Sequence, residues 1–193
     1  MVRSAARLFV FAIAFATAGA SQASAQEDLR DVMGFGSFFR SGPASANPVP
    51  RERVNFIGRY APGTIVISTA ERRLYLVEPD GTALRYGIGV GRDGFRWAGT
   101  HRITAKKEWP SWTPPAQMLR RRPDLPRHMA GGEDNPLGAR AMYLGSTLYR
   151  IHGSNEPETI GQAVSSGCFR MTNEDVVDLY QRVRVGTTVV VKN

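Results

Sequence analysis

The stretch TIVISTAERRLYLVEPDGTALRYGIGV, residues 64–90, consists of three short apolar runs separated by polar residues. TIVIST, RLYLVE and TALRYGIGV are rich in β-branched or aromatic residues, and the turn PDG at 79–81 joins the second run to the third. Runs of this length and composition, bounded by turn residues, are typical of β-strands. The stretch therefore predicts that the folded part of the chain is built mainly from short strands.

The same pattern continues toward the C-terminus. The further strand candidates are THRITAKK (100–107), AMYLG (141–145), TLYRIH (147–152) and TTVVVK (187–192).

One helix is well indicated after residue 172. Thr172 and Asp175 form a start that resembles a capping box, and Gly186 ends the segment. An apolar stripe at helical spacing comprises Val176, Leu179, Tyr180 and Val183. A second short helix is expected near Pro157. Many short strands with one or two helices predict a mostly β fold, either a β-sandwich or a partly open barrel.

The N-terminus has the pattern of an export signal. Arg3 and Arg7 precede an apolar segment over 8–20, and Ala23-Ser24-Ala25 matches the small-residue site that signal peptidase cuts. The apolar segment is too short to span a membrane, which takes about 20 residues. We therefore predict a signal peptide over 1–25, and an exported, periplasmic protein with no membrane span after cleavage.

Residues 26–61 are predicted to be a flexible linker, followed by one catalytic domain over 62–193. SGPASANPVP at 41–50 is rich in Pro, Ser and Ala, which is typical of linkers. MGFGSFF at 33–39 either packs on the domain or contacts a partner, and the sequence leaves both open.

The formal net charge of +8, of which the predicted signal peptide carries two units, favours anionic partners. Envelope polymers, lipid headgroups and carboxylate-bearing substrates all fit. Nucleic acid does not, because the protein is predicted to be exported and no recognition motif is present.

Two kinds of cofactor site are excluded by the sequence. GVGRDG at 89–94 matches the dinucleotide fingerprint, but FRWAGTHRIT follows it and has strand character where the motif needs a helix. His101, His128 and Cys168 lack the paired spacing of zinc ligands. We therefore expect no cofactor and no metal.

The segment between EWPSWTPP and DNPLG holds six of the twelve prolines, Trp112 and the basic run Arg120-Arg121-Arg122. A long stiff loop of this kind inside a domain is either the wall of an active site or a cover over the core. The sequence does not distinguish the two.

SSGCFRM at 165–171 holds the single cysteine, Cys168. In an oxidising compartment, an unpaired cysteine forms an intermolecular disulfide, is buried and inert, or is a free reactive thiol. His152 ends the strand candidate TLYRIH, and an imidazole beside a thiol can take its proton. Gly167 would let a substrate carbonyl approach the backbone beside the sulfur.

YRIHGSNEPETIGQAVSSGCFRM, residues 149–171, resembles the active-site signature of the L,D-transpeptidase (YkuD-like) family: a strand ending in I-H-G, a spacer and S-x-G-C-x-R. The resemblance extends over roughly 62–192. Ser166 stands where many members have a histidine. The resemblance implies a β-rich sandwich with a cysteine at the end of a cleft.

It also implies the chemistry. Cys168 is expected to attack the diaminopimelate–D-alanine bond of a peptidoglycan tetrapeptide stem and form a thioester, which an amine on a second stem or an envelope protein resolves. His152 would accept and donate the proton, oriented by a main-chain carbonyl, for which Gly153 is our candidate.

The remaining candidates are substrate contacts. The amides of Gly167 and Cys168 are expected to stabilise the oxyanion, and Ser166 and Trp112 to line the pocket. Arg170 either holds a substrate carboxylate or forms a structural salt bridge.

Two alternatives stay open. If water resolves the thioester, the protein is an L,D-carboxypeptidase or hydrolase. An alternative of another class is a non-catalytic peptidoglycan-binding protein.

Overall fold

A computed structural model describes residues 47–193. The predicted signal peptide over 1–25, the MGFGSFF segment and the first part of the predicted linker lie outside the described residues. Within 47–193, no helix has the length and apolar character needed to cross a membrane.

The described chain is mostly β, as predicted, with two helices; the short helix expected near Pro157 is a 3₁₀ turn instead. The strands are β1 Glu52–Asn55, β2 Ile65–Ser68, β3 Arg73–Val77, β4 Thr82–Gly87, β5 Val90–Gly91, β6 Gly99–Glu108, β7 Arg140–Leu144, β8 Arg150–His152, β9 Ala163–Ser165, β10 Phe169–Arg170 and β11 Thr188–Lys192. The helices are α1 Ala116–Arg121 and α2 Asn173–Arg182, with one 3₁₀ turn at Pro157–Thr159.

Nine strands form one mixed sheet in the order β1-β4-β3-β2-β11-β6-β7-β8-β10, and β5 pairs with β9 separately. The long strand β6 joins two halves of the sheet. Its residues 99–102 pair with β11, and its residues 103–108 pair with β7. The edge strands β1 and β10 do not pair with each other within the described chain, so the sheet is not closed.

The apolar runs form the core as their composition predicts. Ile65 and Ile67 of β2 are fully buried, because β2 runs in the middle of the sheet between β3 and β11. Helix α2 adds Val176 and Leu179 to the same core. Its N-cap is Thr172, whose Oγ1 accepts a hydrogen bond from the Asp175 amide at 3.2 Å, in agreement with the predicted helix start.

The described part of the predicted linker, 47–61, differs from the prediction because it includes β1. This strand pairs antiparallel with β4, so it belongs to the folded domain. Three of its four residues are exposed, which is why it has no apolar pattern in the sequence. Its edge position is supported by ion pairs from Arg53 to Glu78 and from Arg85 to Glu52.

The segment GVGRDG runs through the short strand β5 and a turn, and the next element is β6. It therefore lacks the helix whose N-terminus would hold a dinucleotide pyrophosphate.

Candidate active site

Strands β8 and β10 place the cysteine and the histidine on one face of the sheet. They pair in parallel, with Phe169 opposite Ile151 and Arg170 opposite His152. Phe169 and Ile151 are buried in the core. Because side chains alternate along a strand, Arg170 and His152 point to the opposite face of the sheet from Phe169 and Ile151.

Cys168 lies two residues before Arg170, and Arg150 lies two residues before His152. Both therefore lie on the same face of the sheet as Arg170 and His152. Together with His152 and Arg170 they line a cavity of about 740 Å³. The register of two short strands thus brings the predicted nucleophile and the predicted base to one cavity.

The proline-rich segment is a wall of this cavity. Trp112, Met118 and Leu125 line it from that segment, and Ser165 and Ser166 line it from the segment before the cysteine. The backbone of Trp112 is fixed by two hydrogen bonds to Met129, each 2.8 Å between nitrogen and oxygen. The sequence had left open whether this segment was a wall or only a cover, and the structure favours the wall. Helix α1 within it was not predicted.

His152 is 5% exposed, and its Nδ1 lies 2.6 Å from the carbonyl oxygen of Gly153. A carbonyl only accepts hydrogen bonds, so Nδ1 carries the proton and Nε2 keeps its lone pair. The pKa of His152 is lowered to about 3, mainly because burial disfavours the charged imidazolium. The hydrogen bond to the Gly153 carbonyl raises the pKa, and the positive charges of Arg170 and Arg150 lower it further. The resting imidazole is therefore neutral at physiological pH, and its free nitrogen is Nε2.

Cys168 is half-buried, and its Sγ lies 3.7 Å from the carbonyl oxygen of Leu148. Burial raises the pKa of the Cys168 thiol above its ordinary value. The positive charges of Arg150 and Arg170 act in the opposite direction and make this increase smaller. The resting pair is thus a neutral thiol and a neutral imidazole, with two guanidinium groups available to stabilise a thiolate as it forms.

The turn before Cys168 is fixed by Ser165. Its Oγ accepts a hydrogen bond from the Gly167 amide at 3.1 Å and donates one to the carbonyl of Cys168 at 2.6 Å. Gly167 has a φ of +110°, and a β-carbon there would lie 2.5 Å from the ring of Tyr149. Only glycine fits this position.

This turn bears on the two predicted oxyanion donors, the amides of Gly167 and Cys168. The Gly167 amide is already bonded to Ser165, so it is not free to bind an oxyanion. The Cys168 amide has no acceptor among the hydrogen bonds found in residues 47–193, and it remains a candidate.

Trp97 supports the same turn and was missed by the sequence analysis. Its Nε1 donates a hydrogen bond to the carbonyl of Gly167 at 2.8 Å. Its ring stacks on Tyr149, with centroids 4.4 Å apart and planes 14° from parallel. The available signal was a lone tryptophan in the polar stretch FRWAGT, which does not reveal a partner seventy residues away.

Arg150 and Arg170, whose charges act on Cys168, have different partners. Arg170 Nη1 forms a salt bridge with Glu156 at 2.7 Å, which favours the structural alternative for this residue. The guanidinium carbon of Arg150 lies 5.2 Å from the centroid of the Tyr143 ring. Arg150 was not predicted as a site residue, although it lies inside the signature.

The cavity is strongly cationic. Its lining residues include no aspartate or glutamate within the described chain, and the arginines that line it are Arg92, Arg121, Arg122, Arg150 and Arg170. Arg122 is paired with Asp124 outside the lining. Arg120, which the sequence grouped with these residues, does not line the cavity. Such a site favours anionic ligands.

The other histidines do not line the cavity. His101 packs edge-on against Trp97, and Nδ1 of His128 lies 3.1 Å from Oγ1 of Thr113. Within 47–193, no cluster of three or more His, Cys, Asp or Glu side chains could hold a metal ion.

The burial of His152 predicts a pH-dependent stability. Because its folded pKa, about 3, lies below the ordinary value of 6.5, the unfolded chain binds more protons between these values. Stability should be fully present above pH 6.5 and should fall as the pH drops toward 3, with a limiting slope of about 1.4 kcal/mol per pH unit. Urea unfolding of the wild type at pH 7.5, 6, 5 and 4 measures this loss.

The matched control is His152→Asn. Its free energy of unfolding should depend less steeply on pH, by up to about 1.4 kcal/mol per pH unit, because it lacks the buried imidazole. The buried carboxyl of Asp175, whose pKa is raised by burial, is unchanged in both proteins and cancels from the comparison. Equal slopes in the two proteins would contradict a neutral buried His152.

Comparison with known proteins shows the family of the chain. The family model described as the L,D-transpeptidase catalytic domain matches residues 62–191. The Escherichia coli (strain K12) protein named probable L,D-transpeptidase YbiS is 44% identical over 135 residues, which are 65% of this chain and 43% of that protein. The chain thus spans less than half the length of this curated relative.

Two solved structures are also similar. A Brucella melitensis protein described as a probable carnitine operon oxidoreductase is 52% identical, with a TM-score of 0.50 over 74% of this chain and 93% of that one. An L,D-transpeptidase from Mycobacterium smegmatis is 16% identical, with a TM-score of 0.55 over 67% of this chain and 58% of that one. The second likeness shows the fold alone.

Proposed function

This chain belongs to the L,D-transpeptidase catalytic domain family, and we propose that it is a peptidoglycan L,D-transpeptidase with Cys168 as nucleophile. The observation that carries the proposal is the register of β8 and β10, which brings Cys168 and His152 to one cavity. A non-catalytic binding protein would not need a thiol and a correctly protonated imidazole at the same site.

The first half-reaction follows from the protonation states. Nε2 of His152 takes the proton of the Cys168 thiol as the sulfur attacks the carbonyl carbon of the diaminopimelate–D-alanine bond. Negative charge develops on the carbonyl oxygen, and the Cys168 amide is the donor that we assign to it. When the C–N bond breaks, the imidazolium returns its proton to the leaving amine, so D-alanine departs and a thioester remains.

In the second half-reaction an amine attacks the thioester carbonyl and transfers a proton to Nε2 of His152. The sulfur leaves as a thiolate and recovers that proton. The acceptor that we propose is the amine of a second stem or of an envelope protein. Water in its place gives the carboxypeptidase or hydrolase reaction, which the same groups can perform.

The charge of the cavity supports a peptidoglycan donor. Tetrapeptide stems carry free carboxylates. The lining arginines that form no salt bridge within residues 47–193, Arg92, Arg121 and Arg150, provide positive charge for them, whereas Arg122 and Arg170 are paired with Asp124 and Glu156. We further propose that the protein acts in the periplasm, for which the predicted signal peptide over 1–25 is the support, and that it contributes to the construction of the cell wall and its shape.

The oxidoreductase activity that describes the Brucella melitensis protein is not proposed here. GVGRDG, the segment that matches a dinucleotide fingerprint, is followed by a turn and the strand β6, with no phosphate-binding helix after it.

Product analysis tests the proposal. The purified protein is incubated with a defined disaccharide-tetrapeptide, with and without an amine acceptor, and the products are identified by mass spectrometry. We expect release of D-alanine and formation of a cross-linked dimer or an acceptor adduct. Disaccharide-tripeptide as the sole product in the presence of acceptor would favour the hydrolase, and no release of D-alanine would contradict the proposal.

A further inference from the structure

Arg150 and Arg170 both flank the reactive pair, but only one of them has a carboxylate partner. Arg170 is bonded through Nη1 to Glu156 and lies 3.4 Å from Oγ1 of Thr159. Arg150 forms no salt bridge within residues 47–193. Its Nε is also buried without a hydrogen-bond partner, the single such side-chain atom in the described chain.

A buried donor without a partner is costly, so such atoms are rare in folded proteins. At the wall of a substrate cavity, a ligand oxygen can satisfy the donor. An arginine offers Nε and one Nη as two parallel donors, which match the two oxygens of a carboxylate. The free donor of Arg150 therefore points to an anionic group of the substrate.

The position of Arg150 is well defined. It pairs with Tyr143 across β7 and β8, and its guanidinium carbon lies 5.2 Å from the centroid of that ring, within the range of a cation–π contact. On its other side is β10, whose pairing with β8 begins at Phe169 and Ile151, the residues that directly follow Cys168 and Arg150. Arg150 and Cys168 line the same cavity, and the charge of Arg150 acts against burial to lower the pKa of the Cys168 thiol, so the guanidinium lies near the sulfur.

The chemistry of the donor stem identifies the carboxylate. Three bonds separate the attacked carbonyl carbon from the carboxylate carbon of the terminal D-alanine. Once the carbonyl is at the sulfur, this carboxylate is therefore only a few ångströms away. The other free carboxylates of the stem are separated from the attacked carbon by more bonds.

We propose that Arg150 binds the terminal carboxylate of the leaving D-alanine and so selects donor stems that end at this residue. The inference rests on the proposed function and makes Arg150 a specificity-determining residue for it. A stem with a further residue, or with an amide in place of the carboxylate, would leave the guanidinium without its partner.

Binding measurements test the inference without requiring turnover. In the Cys168→Ala background, calorimetry gives the Kd of two disaccharide-tetrapeptides, one ending in D-alanine and one in D-alaninamide. We expect the acid to bind about 10- to 100-fold more tightly, as for a hydrogen-bonded ion pair. Adding Arg150→Gln should reduce this preference to less than about threefold, because the neutral amide no longer pairs with a carboxylate.

Arg170→Gln in the same background is the matched control. Because Arg170 is bound to Glu156, its loss should leave the preference for the acid in place. Arg150→Lys keeps the charge but lacks the two-pronged donor, and it should give an intermediate preference. Circular dichroism and urea unfolding establish that each variant is folded.

Three results would overturn the inference: equal binding of acid and amide by the Cys168→Ala protein, full preference for the acid after Arg150→Gln, or loss of that preference in Arg170→Gln. These differ from failure of the proposed function, which would appear as a wild-type protein that releases no D-alanine from the acid stem.

Discussion

Cys168→Ala is expected to reduce the release of D-alanine from tetrapeptide stems to the level without protein. The reaction that we propose passes through a thioester, and no other cysteine exists in the chain to form one. The oxyanion donor and the arginines remain in this variant, but they have no covalent intermediate to stabilise. The measurement is the rate of D-alanine release, followed by mass spectrometry.

A second readout separates loss of chemistry from loss of fold. Incubated with donor alone, the wild type should gain the mass of one stem minus D-alanine, and Cys168→Ala should gain nothing. The substitution removes one half-buried sulfur whose hydrogen bond to Leu148 is long, at 3.7 Å, so the free energy of unfolding should change by less than about 1 kcal/mol. Undiminished turnover by a folded Cys168→Ala protein would contradict the assignment of the nucleophile.

The sequence predicts those parts of the fold that depend on local composition. β2 and β3 follow from runs of Ile, Val and Leu, and α2 follows from its N-cap at Thr172 and its apolar stripe. These signals are reliable because burial of apolar side chains is the main stabilising term in a sheet or on a helix face. β1 has no such signal, since an exposed edge strand is held by backbone hydrogen bonds and ion pairs to β4 and β3.

The residues of the candidate site also fall into two groups, those that the sequence predicts and those that only the structure reveals. Cys168 and His152 are rare residue types in a recognisable spacing, so the sequence predicts them, and the structure places both in the lining of one cavity. The roles of Trp97 and Arg150 depend on contacts with Gly167 and Tyr143, which are distant in the chain or on a neighbouring strand. The sequence does not reveal these contacts: Trp97 is placed by its hydrogen bond to Gly167 and its stacking on Tyr149, and Arg150 by the pairing of β8 with β7.

The Ser165 turn distinguishes the two amides that the sequence predicts as oxyanion donors. Small residues beside a cysteine suggest free amides, but a hydroxyl two residues earlier can bind one of them. Here Ser165 accepts from the Gly167 amide and thereby fixes the turn that carries Cys168. The sequence contains the serine, but not the direction in which its hydroxyl points.

His152→Ala is expected to lower kcat/KM by about 10² to 10⁴-fold, the usual contribution of a general base. Nδ1 donates a hydrogen bond to the carbonyl of Gly153, so Nε2 is the nitrogen that takes the thiol proton in the proposed reaction. Without it, the reaction depends on the small fraction of thiolate present in water. Because burial raises the pKa of Cys168, this fraction is small at neutral pH.

The two proteins should therefore differ in pH profile as well as in rate. In the wild type, His152 stays neutral from about pH 4 upward, so kcat/KM should vary little between pH 5 and 8. In His152→Ala it should rise about tenfold per pH unit over this range, as the thiolate fraction rises. Added imidazole can enter the space left by the side chain, and it should restore part of the rate in His152→Ala but none in Cys168→Ala. A flat profile in His152→Ala, with a rate near that of the wild type, would assign the proton transfer to another group.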